Sequence, residues 1–349
     1  MAGSRTPVCE RLPREEVVKA VERRFPRRVP LVMAHWWGEG LHDQYGERLQ
    51  AFNRYPEDAR CIGIPKLDVG SMGLSWECGR KGGHDSGGVI DDWSRLNEFV
   101  DKLPDPAQDP RWDDLARQAE AVHRDDTYLI VGWWGLFFET PWSLRGMQNL
   151  LTDYYEYPEE IHRLHDALCS LYCRSIRTAA KVMRPDGFWT SDDLGHQTQA
   201  MMRPETFDAL IKPYYGRVGA VLKELGIHWW LHSCGNNAPL MPSLIEAGVD
   251  MFHPVQKHTM DEKQVARRFG AEVGFWSGFD VQHLLVEGTP EQVRAEVRYL
   301  IDTFDRPEGG MAIAAGNGIV AGTPFDNIDA FLSEAVCYGE EHRTQWASG

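Results

Sequence analysis

Residues 227–237, which read IHWWLHSCGNN, and residues 248–256, which read GVDMFHPVQ, are apolar runs that each end abruptly in chemically reactive side chains. Successive side chains of a strand alternate between its two faces, so His232 and Cys234 point the same way. That spacing presents a nitrogen and a sulfur to one point, as a soft divalent metal ion such as zinc requires. The alternative interpretation is a histidine that closes a strand beside an ordinary cysteine, because two ligands alone do not make a site.

Short apolar runs of this kind alternate with helical segments along all 349 residues. The eight runs are residues 29–34, 60–64, 127–132, 187–191, 227–231, 249–252, 271–276 and 311–315. Alternating strands and helices predict an α/β fold with a parallel sheet, and eight such units predict a (β/α)8 TIM barrel. An open doubly wound sheet would instead need a glycine-rich phosphate loop after the first strand, where residues 35–38 read HWWG.

The whole chain, residues 1–349, is predicted to form this one barrel domain, with residues 1–12 loose. Residues 66–110 are polar, rich in glycine and weakly periodic, so we expect a long irregular insertion after strand 2 of the barrel. Loops of this length often cover or form binding sites.

The composition excludes several classes of partner. A net charge of −15 argues against nucleic acid or an anionic membrane surface. The longest apolar run, residues 128–138, is too short to span a bilayer, and residues 1–25 lack the apolar segment of a signal peptide. Seven scattered cysteines suit a reducing compartment. We therefore expect a cytoplasmic protein.

Polar, titratable and aromatic side chains collect at the predicted carboxyl ends of the strands, where barrel enzymes have their active sites. They are His35, Trp36, Trp37, Trp133, Trp134, Glu139, Asp192, Asp193, His196, His232, Cys234, His253, Gln256, Asp280 and Asn317. The strands themselves are apolar. This asymmetry indicates an enzyme or a ligand-binding site.

Several of these residues also have a purely structural interpretation. One of Asp192 and Asp193 could cap the helix after its strand, and His35 and His253 could be hydrogen-bonded structural residues. Because neighbouring side chains of a strand face opposite ways, one tryptophan of each pair is expected to line the mouth of the barrel. An aromatic wall there would suit an aromatic substrate, or a quaternary ammonium group held by cation–π attraction.

The sequence resembles the uroporphyrinogen decarboxylase superfamily, which includes the corrinoid-dependent methyltransferases. The resemblance runs over nearly the whole chain and rests on RVP at 28–30, FE at 138–139, LRG at 144–146, DDLG at 192–195, HSCGN at 232–236, GVD at 248–250, PVQ at 254–256 and TPFDNI at 323–328. It implies a (β/α)8 barrel, in agreement with the count of strands, and it implies a homodimer.

The two branches of that superfamily differ in two segments. The decarboxylases carry an arginine-rich segment after strand one for the carboxylates of the tetrapyrrole, whereas residues 35–40 here read HWWGEG. The methyltransferases bind zinc through a His-x-Cys pair, matched by His232 and Cys234, and a cysteine near the end of strand eight. Asn317 stands in that third place. The third zinc ligand is then expected to be Glu139, His35, Asp192 or Asp193; otherwise no metal binds.

The missing cysteine and the Trp-rich mouth favour a methyltransferase that moves methyl from a small donor, an aromatic ether or a quaternary amine, to a corrinoid. No Asp-x-His-x-x-Gly corrinoid motif is present, so the corrinoid is expected on a separate protein. The predicted catalytic residues are Asp193, His196 and Asp192, and the predicted substrate-binding residues are His35, Trp36, Trp37, Trp133, Trp134, Glu139, Gln256 and Asn317. The alternatives are a metal-independent decarboxylase or lyase that uses Asp192 or Asp193, and a non-catalytic protein that binds a tetrapyrrole.

Overall fold

The computed structural model describes residues 10–68, Met72 and residues 89–347. The strands of these residues are β1 Ala59–Gly63, β2 Tyr128–Trp133, β3 Gly187–Ser191, β4 His228–His232, β5 Met251–His253, β6 Gly274–Phe279 and β7 Met311–Ala315. They form a seven-stranded sheet in the order β1-β2-β3-β4-β5-β6-β7, and the pairs β3–β4, β5–β6 and β6–β7 run parallel. Parallel neighbours need crossover connections, which the helices between the strands supply.

The α-helices of the described residues are α1 Arg14–Val21, α2 Leu41–Tyr45, α3 Leu96–Asp101, α4 Trp112–Arg124, α5 Glu139–Arg145, α6 Met147–Glu156, α7 Pro158–Met183, α8 Pro204–Leu210, α9 Lys212–Leu225, α10 Met241–Glu246, α11 Glu262–Phe269, α12 Leu284–Glu287, α13 Pro290–Phe304 and α14 Phe325–Ala347. Segments of 3-10 helix lie at Gly46–Arg54, Trp93–Arg95 and Pro106–Gln108. None of these helices is long and apolar enough to cross a membrane. The α/β class predicted from the alternation of runs is confirmed.

The predicted first strand, residues 29–34, is wrong as a regular strand. Leu31 makes only an isolated parallel bridge with Ile313 of β7. The Leu31 N–H donates to the Asp58 carboxylate at 2.7 Å instead of to a strand, and Met33 has a φ of 58°. A left-handed residue ends the extended backbone. The segment nevertheless lies where a barrel would place its first strand, since its Leu31 carbonyl accepts the Asp58 N–H just before β1.

The predicted irregular insertion is not confirmed. Residues 69–71 and 73–88, the glycine-rich part, lie outside the described residues. The remainder of residues 66–110 is not all irregular, because α3 and two segments of 3-10 helix occur in it. Asp92 and Asp105 each cap one of those short segments by accepting a backbone N–H.

The chain divides into two compact units. The first unit comprises residues up to 61, residues 122–130 and the chain from residue 250 onward; the second comprises residues 62–121 and 131–249. In the first unit the Arg28 guanidinium forms a buried ion pair with Asp58. In the second, β3 and β4 carry the large buried side chains Phe188 and Trp229. A single domain over residues 1–349 stays a prediction.

Candidate metal and substrate site

The strands β3 and β4 bring two of the predicted polar motifs to the same edge of the sheet. They pair in parallel with Ser191 opposite His232, and the Asp192 N–H donates to the His232 carbonyl at 2.9 Å. Asp193 and Cys234 follow these strand ends, and the Cys234 N–H donates to Asp193 Oδ1 at 2.9 Å. Parallel strands end at the same edge, so the motifs DDLG and HSCG become one pair of adjacent loops.

Two glycines allow the loops after β3 and β4 to approach backbone to backbone. Gly235 has a φ of +80°, and a Cβ atom there would lie 2.3 Å from the carbonyl carbon of Gly195. The Asn236 N–H donates to the His196 carbonyl at 2.7 Å across the same contact. No side chain fits at position 235 without moving the neighbouring backbone, so the spacing of the two loops is set by glycine.

Gly235→Ala is therefore expected to lower the free energy of unfolding by roughly 1–3 kcal/mol, through the clash and the left-handed φ, and to weaken zinc binding. Urea denaturation and zinc titration measure the two effects. Gly226→Ala is the matched control, because Gly226 has a φ of +68° but a Cβ atom added there would meet nothing within 4 Å. Gly226→Ala should lower the free energy of unfolding only through backbone strain and leave zinc affinity unchanged. Equal losses of stability and of zinc affinity in both variants would contradict the role of the contact between Gly195 and Gly235.

Asp193, His232 and Cys234 place three ligand atoms within 4.8 Å of one another. His232 Nε2 lies 3.3 Å from Cys234 Sγ and 3.7 Å from Asp193 Oδ1. A tetrahedral zinc ion with bonds of about 2.0–2.3 Å holds its ligand atoms roughly 3.3–3.8 Å apart. The two distances from His232 therefore match the spacing of zinc ligands, and all three ligand atoms lie close enough to hold one ion, with a fourth ligand position left to another group.

The charges of this cluster also suit a cation. Burial lowers the pKa of His232, so its ring is neutral at pH 7 and keeps a lone pair for a metal. Burial raises the pKa of the Cys234 thiol, and the carboxylates of Asp193 and Glu139 raise it further. A thiol in such surroundings loses its proton when a divalent cation supplies positive charge beside it.

Asp192, predicted as catalytic, is fully buried and positions the neighbouring helix. Its carboxylate accepts the backbone N–H groups of Phe137, Phe138 and Glu139 at 2.7–3.0 Å and the Tyr215 hydroxyl at 2.8 Å. Burial raises its pKa to about 6, against these donors, which lower it. The amides begin α5, so Asp192 caps the helix after β2 rather than the helix after its own strand, and it holds Glu139 in place.

Glu139 lies half-buried on α5. The Ser191 hydroxyl donates to Glu139 Oε2 and accepts the Gly135 N–H at 2.9 Å. Burial, together with the negative charges of Asp192 and Asp193, raises the pKa of Glu139 to about 8. In the metal-free protein at neutral pH, this carboxyl group is therefore mostly protonated and able to donate a hydrogen bond.

This raised pKa predicts a pH dependence of stability. The pKa of Glu139 is about 8 in the folded protein against an ordinary value of 4.5, so the folded chain binds the extra proton between these values. The stabilisation is complete below the ordinary pKa and disappears as the pH rises through the folded pKa. We expect the free energy of unfolding in chelator to fall more steeply with pH in wild type than in Glu139→Gln between pH 4.5 and about pH 8, and this difference in slope to vanish above the folded pKa. Parallel slopes would contradict the assignment.

A cavity of about 520 Å³ opens beside Glu139 and Trp134. Most of its wall is aromatic or apolar, and its lining residues are Lys66, Leu67, Asp68, Arg111, Trp133, Trp134, Gly135, Glu139, Thr140, Trp142, Ser143, Leu144 and Tyr172. Alternation along the chain leaves Trp133 4% exposed and Trp134 42% exposed. The Trp134 ring packs edge-on against the His232 ring with centroids 5.3 Å apart, so this indole joins the cavity to the three-ligand cluster.

The remaining predicted site residues are divided between the two units. His196 is in the second unit with an exposed side chain. In the first unit, His35 stacks on Trp37 with centroids 5.3 Å apart, and burial lowers the pKa of His35 to about 4. Trp36 and Gln256 are half-buried, and Asn317 is exposed. The substrate-binding roles of these first-unit residues stay predictions, as does the catalytic role of His196.

Some residues of the site were not found from the sequence. Ser191 is the last residue of β3 and was assigned only to a strand. Tyr172 reaches the cavity from the middle of the long helix α7, where a buried aromatic is ordinary packing. Lys66, Arg111 and Trp142 come from segments without a distinctive pattern. Only the fold reveals that these side chains share one cavity.

Comparison with known proteins identifies the family of this chain. A model of the uroporphyrinogen decarboxylase family matches residues 81–337. Uroporphyrinogen decarboxylase from an Anaeromyxobacter species is 28% identical over 277 residues, which are 76% of this chain and 75% of that protein. Methylated-thiol–coenzyme M methyltransferase from Methanosarcina mazei is 26% identical over 135 residues, 39% of this chain and 34% of the relative. That match therefore spans about a third of the methyltransferase.

Among solved structures, a methyltransferase from Methanosarcina mazei has a similar fold. The TM-score is 0.64 at 17% sequence identity, over 93% of this chain and 98% of the methyltransferase. At this identity the likeness concerns the fold alone.

Proposed function

This chain belongs to the uroporphyrinogen decarboxylase family, and we propose that within this family it is a methyltransferase. In this proposal a methyl group moves between a small methylated donor and a corrinoid carried by a separate protein. The observation that carries the proposal is the cluster of Asp193, His232 and Cys234, joined by Trp134 to an aromatic cavity of ligand size.

Asp193, His232 and Cys234 would hold a zinc ion, with Asp193 supplying the ligand that Asn317 cannot. A neutral amide is a poor zinc ligand, whereas a carboxylate is an ordinary one. When bound, zinc supplies a Lewis-acid charge that stabilises negative charge on the atom losing its methyl group. Asp192 fixes the start of α5 and so holds Glu139 at the cavity wall.

The side chains of the cavity would bind and orient the donor. The faces of Trp134 and Tyr172 offer flat apolar surfaces to an aromatic ring. Glu139, protonated at neutral pH in the metal-free protein, would donate a hydrogen bond to the donor's leaving oxygen.

The aromatic wall of the cavity and the Glu139 proton favour an aromatic ether over a quaternary amine. With Glu139 protonated and Arg111 paired with Asp109 at 2.6 Å, Lys66 and Asp68 leave the lining without net charge. A quaternary ammonium ion would therefore meet no net negative charge, whereas a neutral aromatic donor needs none. The relative from Methanosarcina mazei is named for a methylated thiol, so a methyl thioether is a second donor chemistry to test.

Reconstituted methyl transfer tests the proposal. The full chain, loaded with zinc, is incubated without oxygen with cob(I)alamin and, in separate reactions, methoxybenzene, tetramethylammonium or dimethyl sulfide. Consumption of cob(I)alamin is followed by its visible absorbance. We expect zinc-dependent turnover with methoxybenzene above the other donors, and none with His232→Ala.

The decarboxylase alternative predicts the opposite pattern. If the metal-free chain released CO2 from uroporphyrinogen and no donor supported methyl transfer, the proposed reaction would be decarboxylation and not methyl transfer. The relative whose match covers 76% of this chain is named for decarboxylation. Residues 35–40, which contain no arginine, argue against binding of its many carboxylates.

A further inference from the structure

Two cysteines lie one turn apart on the long helix α7, in the second unit and outside the three-ligand cluster. Cys169 Sγ lies 3.9 Å from Cys173 Sγ, close enough for a hydrogen bond between a thiol and a sulfur acceptor. Cys169 is fully buried, whereas Cys173 is half-buried. Of the two sulfur atoms, that of Cys173 is therefore the one that a reagent from solution can reach.

The hydrogen bond between these sulfur atoms runs from Cys169 to Cys173. The contact with Cys173 and burial raise the pKa of the Cys169 thiol, so Cys169 keeps its proton. The hydrogen bond from Cys169 lowers the pKa of Cys173, against burial, which raises it. A thiolate that accepts a hydrogen bond forms at a lower pH than an isolated thiol. Cys173 is thus the nucleophile of the pair, and Cys169 is its hydrogen-bond donor.

Charged side chains of α7 and α9 surround the pair. Arg217 of α9, and Arg177 one turn further along α7, lower the pKa of Cys173 further. Each arginine is itself paired with an exposed carboxylate, Arg217 with Asp166 and Arg177 with Glu224. The two cations and two carboxylates balance, so these surroundings stabilise a thiolate without offering net positive charge to select an anionic reagent.

Exposure alone does not make a cysteine of this protein reactive. Cys61 and Cys234 are half-buried like Cys173, but burial raises the pKa of both thiols. They therefore stay protonated at neutral pH in the metal-free protein. The thiolate, and not the thiol, attacks a disulfide. Cys173 differs from them because it combines access from solution with a neighbouring donor that stabilises its thiolate.

We propose that Cys173 is a modification site that forms a mixed disulfide with a low-molecular-weight disulfide from solution. The Cys173 thiolate attacks one sulfur atom of the reagent, the S–S bond of the reagent breaks, and its other half leaves as a thiolate that takes a proton from water. The reagent supplies the oxidising equivalents, so no other oxidant is consumed. The Cys169 thiol then has a second acceptor, the Tyr214 carbonyl, 3.8 Å away.

The geometry of α7 prevents Cys169 from displacing the bound half of the reagent. Residues four apart on a helix have Cβ atoms about 5–6 Å apart, whereas a disulfide needs about 3.5–4.5 Å. α7 is one helix from Pro158 to Met183, so a disulfide between Cys169 and Cys173 would require its local unwinding. The mixed disulfide is therefore the end product, and an external thiol removes it.

Incubation of the full chain with oxidised glutathione at neutral pH tests the site. Tandem mass spectrometry of the digested protein assigns each modified sulfur atom over time. We expect the adduct at Cys173 to form at least about tenfold faster than adducts at Cys61, Cys169 and Cys234, and dithiothreitol to release it. Modification of Cys61 or Cys234 as fast as Cys173 would overturn the proposal. A disulfide between Cys169 and Cys173 as the main product would overturn it as well.

The pH profile of Cys173 alkylation by iodoacetamide tests the role of Cys169. Cys169→Ala removes the S–H donor, so we expect the midpoint of the profile to rise and the rate at neutral pH to fall at least about fivefold. Cys169→Ser keeps a hydroxyl donor and should retain a lower midpoint than Cys169→Ala, which separates the hydrogen bond from packing. Ser170→Ala, at an exposed position beside Cys169, is the matched control and should keep the wild-type profile.

Arg217→Gln keeps the test decisive if the Cys169 variants fail to fold by circular dichroism. Arg217 is exposed, and its replacement removes a cation that lowers the pKa of Cys173, so the midpoint should again rise. Coincident profiles in wild type and every folded variant would refute the stabilised thiolate. These measurements do not involve methyl transfer, so their outcome is independent of the proposed function.

Discussion

Cys234→Ser is expected to abolish stoichiometric zinc binding and, with it, methyl transfer. The serine hydroxyl keeps the size of the side chain but does not form the thiolate that zinc binds through sulfur. Asp193 and His232 alone then provide two ligands, and we expect zinc affinity to fall by at least about 100-fold. Metal content after gel filtration and turnover with cob(I)alamin measure the two losses.

Cys337→Ser is the matched control for this variant. Cys337 is also a half-buried cysteine, but it lies on α14 and outside the three-ligand cluster. It should keep wild-type zinc content. Urea denaturation in chelator should show Cys234→Ser as stable as metal-free wild type, which separates loss of a ligand from loss of the fold. Full zinc content or unchanged turnover in Cys234→Ser would rule out the metal site.

Asp58→Ala is expected to destabilise the first unit by about 3–5 kcal/mol, because it leaves a buried guanidinium without its partner. Asp58 is fully buried and Arg28 2% exposed. The Asp58 carboxylate accepts both Arg28 Nη groups, at 2.7 and 2.8 Å. It also accepts the backbone N–H of Leu12 at 2.7 Å and that of Leu31 at 2.7 Å. One substitution therefore removes the acceptor of four donors.

An exposed ion pair of the same geometry provides the comparison. Arg177 donates two hydrogen bonds to Glu224 at 2.9 and 2.7 Å, with side chains 47% and 61% exposed. Glu224→Ala should cost less than about 1 kcal/mol, because water screens that pair. Urea denaturation measures both losses. A loss in Asp58→Ala as small as that in Glu224→Ala would show that the buried pair does not organise the unit.

Periodic, local signals in the sequence account for most of the fold. β3 and β7 have the predicted bounds. α13 begins with a capping box, in which Thr289 and Gln292 are hydrogen-bonded reciprocally. β6 begins three residues later than its predicted run at residue 271, at Gly274. These elements form where neighbouring residues in the sequence determine burial and capping.

The features that the sequence did not predict depend on contacts between residues far apart in the chain. The segment predicted as the first strand binds Asp58, which lies 27 residues after the Leu31 amide that donates to it. No local pattern in the sequence predicts this partner. The pair of His232 and Cys234 was recognisable from spacing, whereas the position of Asp193 beside them follows from the parallel register of β3 and β4. The cavity depends on side chains from four separate segments, which only the tertiary fold brings together.

The contact between Gly195 and Gly235 has a consequence for how this protein could diversify. Because the two backbones touch, an insertion or deletion in the loop after β3 would displace the loop after β4, and the reverse. The loops that carry Asp193 and Cys234 therefore cannot change length independently. Comparisons across relatives should find indels concentrated in the segments that flank α3 and α4, with the residues around Gly195 and Gly235 constant in length.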